Sequence, residues 1–228
     1  MAKVIAIVGD TGTGKSTSLE TLDPKETFII NCANKPLPFK GSAKQYSLAN
    51  KNMVSMTKSS DILAIMNEIN TKQPHIKNLI IDDSGFVMTD LFFLKAMETG
   101  YGKFTEIAKA YQGILTTAKG MRADLNVAFM LHEEDETSNA IKVKRKAKTV
   151  GKLVDDQYSP LSVVTVALFT NVSYDKDGNA SYNFITNRTM INGVEVPAKS
   201  PKGMFETLLI PNDLALVFKQ ADAYYTGE

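Results

Sequence analysis

The amino-acid sequence predicts an α/β fold with a mainly parallel central sheet flanked by helices, and three observations lead to that expectation. Short apolar runs alternate with amphipathic stretches, the pattern of strands joined by crossover helices. Residues 4–8 form a β-branched apolar run without a polar face, as a strand buried on both sides requires, and it leads into glycines. The 228 residues, 43% hydrophobic and 22% charged, suit one sizeable core better than two.

Taken in order, the elements follow from local chemistry. A helix is expected from Lys15. Residues 27–31 read as a second strand, after which Pro36 and Pro38 make the chain loop-like. Ser59 or Ser60 can cap a helix through about Ile69, with Ile62, Ile65, Met66 and Ile69 on one face. Residues 78–81 and 126–131 are the third and fourth strands. Between them, 90–120 reads as helical, interrupted by Gly100-Tyr101-Gly102. Residues 161–168 form a further strand, and 172–187 a hairpin turning at Asp175-Lys176-Asp177-Gly178. A helix over 213–225 closes a single domain spanning 1–228, with a β-rich C-terminal extension at 170–210.

Charge and cysteine content narrow the classes. Twenty-six Lys and Arg against 25 Asp and Glu leave a net charge of +1, so any polyanionic partner must meet a local patch. The single cysteine, Cys32, excludes an intrachain disulfide and suits a reducing compartment, so a cytoplasmic location is expected. The first apolar run is too short for a signal segment, and no stretch approaches the ~20 apolar residues of a membrane span.

The strand at 4–8 feeds directly into Gly9-Asp10-Thr11-Gly12-Thr13-Gly14-Lys15-Ser16. In such a loop the backbone N–H groups converge on phosphate oxygens, because Gly12 and Gly14 add no bulk and tolerate unusual dihedrals. A helix N-terminus would add partial positive charge at the same place. Lys15 supplies a flexible cation for the β- and γ-phosphates, Ser16 a hydroxyl for Mg²⁺, and Thr17 a contact to the α-phosphate. The bland alternative is a glycine turn that merely joins strand to helix.

Two further strands end in polar residues. Residues 78–81 deliver Asp82 and Asp83, where Asp82 would hold Mg²⁺ through water and Asp83 would orient or deprotonate the attacking water. Either carboxylate could instead cap the next helix. The strand at 126–131 delivers His132, either a sensor of the γ-phosphate or a surface histidine. Beyond it, Glu133, Glu134, Asp135 and Glu136 precede Lys142, Lys144, Arg145, Lys146, Lys148 and Lys152. This basic run is either a phosphate-backbone contact for nucleic acid or a solvated loop. Tyr101 and Phe104, flanked by Gly and Lys, either stack on unpaired bases or pack in the core.

These motifs, with the tail 196–205 (VPAKSPKGMF), together resemble the RecA-like P-loop ATPases, specifically the compact phage-encoded ATPases of the single-strand-annealing type. The resemblance implies a RecA-type core binding ATP and Mg²⁺ and hydrolysis linked to single-stranded DNA in recombination or replication. It also implies a homo-oligomer or filament, and a single-strand-binding or replication protein as a possible partner. In such an assembly Arg188, Lys199 and Lys202 would be trans-acting cations, or else ordinary surface charge. One departure stands out: where RecA carries a catalytic Glu after its second strand, the matching stretch 30–34 (INCAN) holds no acid. Slow hydrolysis, or an ATP-gated loader or scaffold, is therefore a live alternative to a DNA-dependent ATPase. A nucleotide kinase fits less well, because the chain has only Arg122, Arg145 and Arg188 with which to clamp two phosphorylated substrates.

Overall fold

The computed structural model of the protein describes residues 1–150 and 159–227. Strands β1 (Lys3–Gly9), β2 (Thr27–Asn31), β3 (Met53–Val54), β4 (Asn78–Asp82), β5 (Asn126–Ser138) and β7 (Val166–Tyr174) form a parallel centre in the order β7-β1-β5-β4-β2-β3. Every residue of β1 from Val4 to Gly9 is buried, as the apolar run requires. Val4, Ala6 and Val8 face one layer and Ile5 and Ile7 the other.

Helices cover both faces. Helix α1 (Ser42–Gln45) is a single turn. Helix α2 (Ser59–Lys72) buries Ile62, Met66 and Ile69 against the first layer, with Ile65 partly buried beside them, so the expected stripe is present. Helix α3 (Phe86–Leu94) and helix α4 (Gly102–Gly120) flank the predicted break at Gly100, and α4 adds Ile107, Tyr111, Ile114 and Leu115 to that layer. A short α5 (Pro160–Val163) occupies part of the stretch expected as a strand, which begins only at Val166. Helix α6 (Leu214–Thr226) is capped by Asp213, whose carboxylate accepts from the Leu216 N–H at 3.0 Å, and packs on the opposite face.

The sheet is mixed, which corrects the expectation of a mainly parallel one. Strand β8 (Ala180–Ile185) runs antiparallel to β7 across the Asp175–Asn179 turn, and β11 (Leu209–Pro211) runs antiparallel to β8. The C-terminal hairpin is therefore continuous with the central sheet. Strand β6 (Ile141–Ala147) folds back on the outer half of β5, β10 (Val194–Val196) pairs with β6, and β9 (Thr189–Ile191) with β10. Tight turns dictate antiparallel neighbours, whereas parallel pairs need a crossover. At the β5–β6 turn both Asn139 and Ala140 take positive φ, as a two-residue type I′ turn demands.

Because β5 and β6 pair, the acidic and basic runs face each other. Asp135 is opposite Arg145, Glu134 opposite Lys146 and Glu136 opposite Lys144. Lys142 pairs with Asp135, Lys146 with Glu134 at 3.7 Å, and Lys144 with Glu195 of β10 at 3.6 Å. Arg145 turns inward: its Nε donates to Glu133 at 3.0 Å, its NH2 group to the Thr170 carbonyl at 2.9 Å, and its guanidinium lies 5.3 Å from the Phe169 ring centre. Removing that guanidinium leaves a carboxylate that is only 15% exposed without its partner. Arg145→Ala should lower unfolding stability by about 2 kcal/mol, and Arg145→Lys should recover only part, since an ammonium cannot reproduce the fork. The urea midpoint reads this directly, and an unchanged midpoint would show that the clasp adds no stability.

Candidate functional site

The register of the parallel strands brings the polar strand ends to one edge. Gly9 is level with His132, and Asn31 with Asp82. Strand β5 lies between β1 and β4, so His132 stands between the glycine loop and the two aspartates. The loop Gly9–Ser16 rises from β1 with Gly12 at φ 78 and Gly14 at φ 95, the left-handed region in which glycine is at ease. Gly9 admits no side chain either, because an added Cβ would sit 1.9 Å from the Thr170 hydroxyl. Thr170 in turn donates to Thr13 Oγ1 at 2.8 Å, which donates to the Asp10 carbonyl at 2.7 Å, fixing the loop on β7. Thr11 N–H caps the Asp10 carboxylate.

After the loop comes one 3₁₀ turn, Ser16–Leu19, instead of the expected α-helix. The run Ser16-Thr17-Ser18 competes for its own backbone, with Ser18 Oγ donating to the Lys15 carbonyl at 2.6 Å, and Pro24 bars extension. A helix macrodipole is therefore not a source of positive charge here, and the loop N–H groups and Lys15 carry that part.

Lys15 is 6% exposed, and its ammonium donates to the carbonyls of Gly9 at 2.8 Å and Asp10 at 2.9 Å. Burial lowers its pKa, opposed by the charges of Asp83 and Asp82. Ser16 Oγ donates to Asp82 Oδ1 at 3.0 Å, while Asp82 Oδ2 is buried with no protein partner. Burial, and then the neighbouring Asp83 charge, push the Asp82 carboxyl up to about 6. An open buried carboxylate oxygen beside a hydroxyl is the hard oxygen pair that Mg²⁺ favours, so Ser16 and Asp82 fit that ion.

Asp83 sits at φ 52, and that left-handed step turns its carboxylate away from Asp82. Its Oδ1 faces His132 Nε2 at 3.1 Å, and its Oδ2 pairs with Lys35. Burial by itself would raise this carboxyl, but the contacts with His132 and Lys35 outweigh it and bring it down to about 2. Helix α3 begins after Gly85 without a side-chain cap, so neither aspartate caps it. His132 also meets the Phe86 ring edge-on at 6.4 Å, and its carbonyl accepts the Lys148 N–H at 2.8 Å.

Lys15, Ser16, Asp83 and His132 line a cavity of about 720 Å³ together with Thr11, Thr17, Lys35, Pro36, Tyr182 and Asn212, a volume suited to a small organic ligand, whereas Asp82, hydrogen-bonded to Ser16, is not part of that lining. Tyr182 and Asn212 press on Gly14, where a Cβ would meet them at 3.2 and 2.9 Å. Three contributors escaped sequence reasoning. Lys35 belongs to no motif, and Tyr182 and Asn212 lie far along the chain from the glycine loop.

The remaining sequence candidates lie elsewhere. Lys142, Lys144, Arg145 and Lys146 belong to β6, Lys148 follows it and is exposed, and Lys152 falls outside the described residues. Arg188 pairs with Glu195 at 3.0 Å, Lys199 is partly buried with its pKa lowered by desolvation, and Lys202 is exposed. Of these, none of the described residues lines the cavity. Tyr101 is 89% exposed, whereas Phe104 packs against Phe92. Among the described residues no helix is long and apolar enough to cross a membrane. No family model and no curated protein matches the chain.

The buried pair predicts a trade-off. With a folded-state pKa near 6 against 3.8 otherwise, Asp82 binds a proton in the folded chain at pH values where the unfolded chain has released it. Metal-free stability should therefore gain, from this group, as pH falls from about 6 toward 4. Asp82→Asn should remove that dependence and raise the unfolding temperature at pH 7, by roughly 2–4 °C per kcal/mol recovered, while weakening any binding of Mg²⁺ at the Ser16–Asp82 pair. Thermal scans and titration calorimetry across pH 5–8 check both halves, and a destabilised Asp82→Asn protein would contradict the first.

Proposed function

We propose that the chain is a Mg²⁺-dependent P-loop ATPase of RecA-like type, with slow turnover, acting on single-stranded DNA in phage recombination or replication. The observation that carries the reading is the Ser16–Asp82 contact, with an open buried carboxylate oxygen at the foot of a left-handed glycine loop. Loop N–H groups would bind phosphate oxygens, and Lys15 would exchange the Gly9 and Asp10 carbonyls for the β- and γ-phosphates. Ser16 and Asp82 would hold Mg²⁺, which would supply positive charge against that developing on the phosphates. A carboxyl near 2 is a weak base, so Asp83 orients the attacking water and His132 holds Asp83 in place. That weakness supports slow turnover and keeps the ATP-gated loader as the second reading. Kinase chemistry is less supported: Arg122 is bound to backbone carbonyls and Asp124, Arg145 to Glu133 and Arg188 to Glu195.

The DNA part rests on the β5–β6 hairpin. It continues from His132 without a break, and the exposed Lys142 and Lys148 are its cations most open to a phosphate backbone. Replacing both by Ala should flatten the slope of log K against log salt by about 1.4, at about 0.7 per phosphate contact on single strands, and leave ATP binding intact. An unchanged slope would remove the hairpin from DNA binding.

Phosphate release from Mg²⁺-ATP, with and without single-stranded DNA, duplex DNA and nucleoside monophosphates, tests the whole reading. Stimulation by single-stranded DNA is expected, with Lys15→Ala inactive because the phosphates lose their cation. Full activity in a folded Lys15→Ala protein would end the ATPase reading. Tight ATP binding without release would select the gated loader, and transfer to a monophosphate the kinase.

A further inference from the structure

The cavity holds a second lysine whose backbone is fixed. Asn31 Nδ2 donates to the Lys35 carbonyl at 2.7 Å. Two residues on, Leu37 is 5% exposed and its carbonyl accepts from Ser42 Oγ at 2.9 Å. Pro36 and Pro38 stiffen the backbone on both sides of that anchor. A half-exposed side chain thus leaves a rigid loop, enters the cavity and rests its ammonium on Asp83 Oδ2.

Charge makes this placement consequential. Lys15 and Lys35 answer the charges of Asp83 in the cavity and of Asp82 beside it, and Lys15 already spends two donors on loop carbonyls. A terminal phosphate arriving near Asp83 would set like charges side by side where water screens them little. A lysine is a compact cation on a flexible stem, able to swing between two anions without backbone movement. We propose that Lys35 is the terminal-phosphate sensor of this site, held on Asp83 when that phosphate is missing and drawn onto it when a nucleoside triphosphate binds. Its departure frees one Asp83 oxygen to orient water, so the group that recognises the triphosphate also readies the site. This inference rests on the ATP-binding reading above.

The test is calorimetric binding of Mg²⁺-ADP and of a Mg²⁺-ATP analogue with a non-hydrolysable β,γ-imido bridge. For Lys35→Ala, affinity for the analogue should fall about tenfold, while affinity for ADP stays within about twofold, since one charge-assisted contact to the terminal phosphate is lost. Lys35→Arg, which keeps the charge, should retain most of the preference. ADP affinity doubles as the check that the variant is folded, and the near-isosteric neutral Lys35→Gln gives the same ratio if the alanine protein fails to fold. Equal losses for both nucleotides, or no loss for either, would overturn the sensor role and leave the nucleotide site standing. If the unmutated chain binds neither nucleotide, both readings fall together.

Discussion

Two adjacent carboxylates, Asp82 and Asp83, end β4 in the protein interior with no solvent exposure, and their charge must be answered by neighbouring groups. Three segments supply the answer. β1 brings the loop with Lys15 and Ser16, β5 brings His132, and the segment after β2 brings Lys35. The parallel register makes this possible, because it sets Gly9 level with His132 and Asn31 level with Asp82. Shifting any of these strands by one residue would exchange its two faces and take the polar end off this edge.

The arrangement also separates two chemically identical side chains. Asp82 points to the serine hydroxyl and keeps one oxygen open, so burial dominates and its carboxyl is raised. Asp83 is rotated by its left-handed φ toward a lysine and a histidine and is lowered. Neighbouring carboxyls driven in opposite directions by environment can take different tasks, one as a metal ligand and one as an orienting group. The positive φ and the open buried oxygen both oppose folding, which is the usual mark of a site shaped for something other than stability.

How legible this was in the sequence depended on the range of the physics involved. The strand at Thr27–Asn31 and the stripe Ile62, Met66 and Ile69 follow from local apolar periodicity, and the structure has them where that pattern put them. The glycine loop was equally plain, since its spacing is its mechanism. The helix expected after Lys15 is a single 3₁₀ turn, because the motif suggests a continuation that Ser16-Thr17-Ser18 and Pro24 disfavour. Lys35 gave no local signal at all, for its partner lies 48 residues away on another strand.

The charged segment is the sharpest case of long-range pairing changing a local reading. Along the chain the basic run looks like a concentrated cationic patch. Folded, the cations of β6 stand across a ladder from acids one turn earlier, with Lys142 on Asp135, Arg145 on Glu133 and Lys146 on Glu134. Long-range attraction of a polyanion depends on net charge, so a paired ladder draws DNA far more weakly than six free cations would. The pairing has a mechanical consequence as well. Because β5 is one strand from Asn126 to Ser138, paired with β6 with a single register shift between Glu136 and Thr137, His132 sits within one element that joins the cavity to the hairpin tip. On the ATPase reading, coupling between nucleotide and DNA would then pass along a hydrogen-bonded ribbon rather than through a flexible loop, and the position of His132 against Asp83 would be its input.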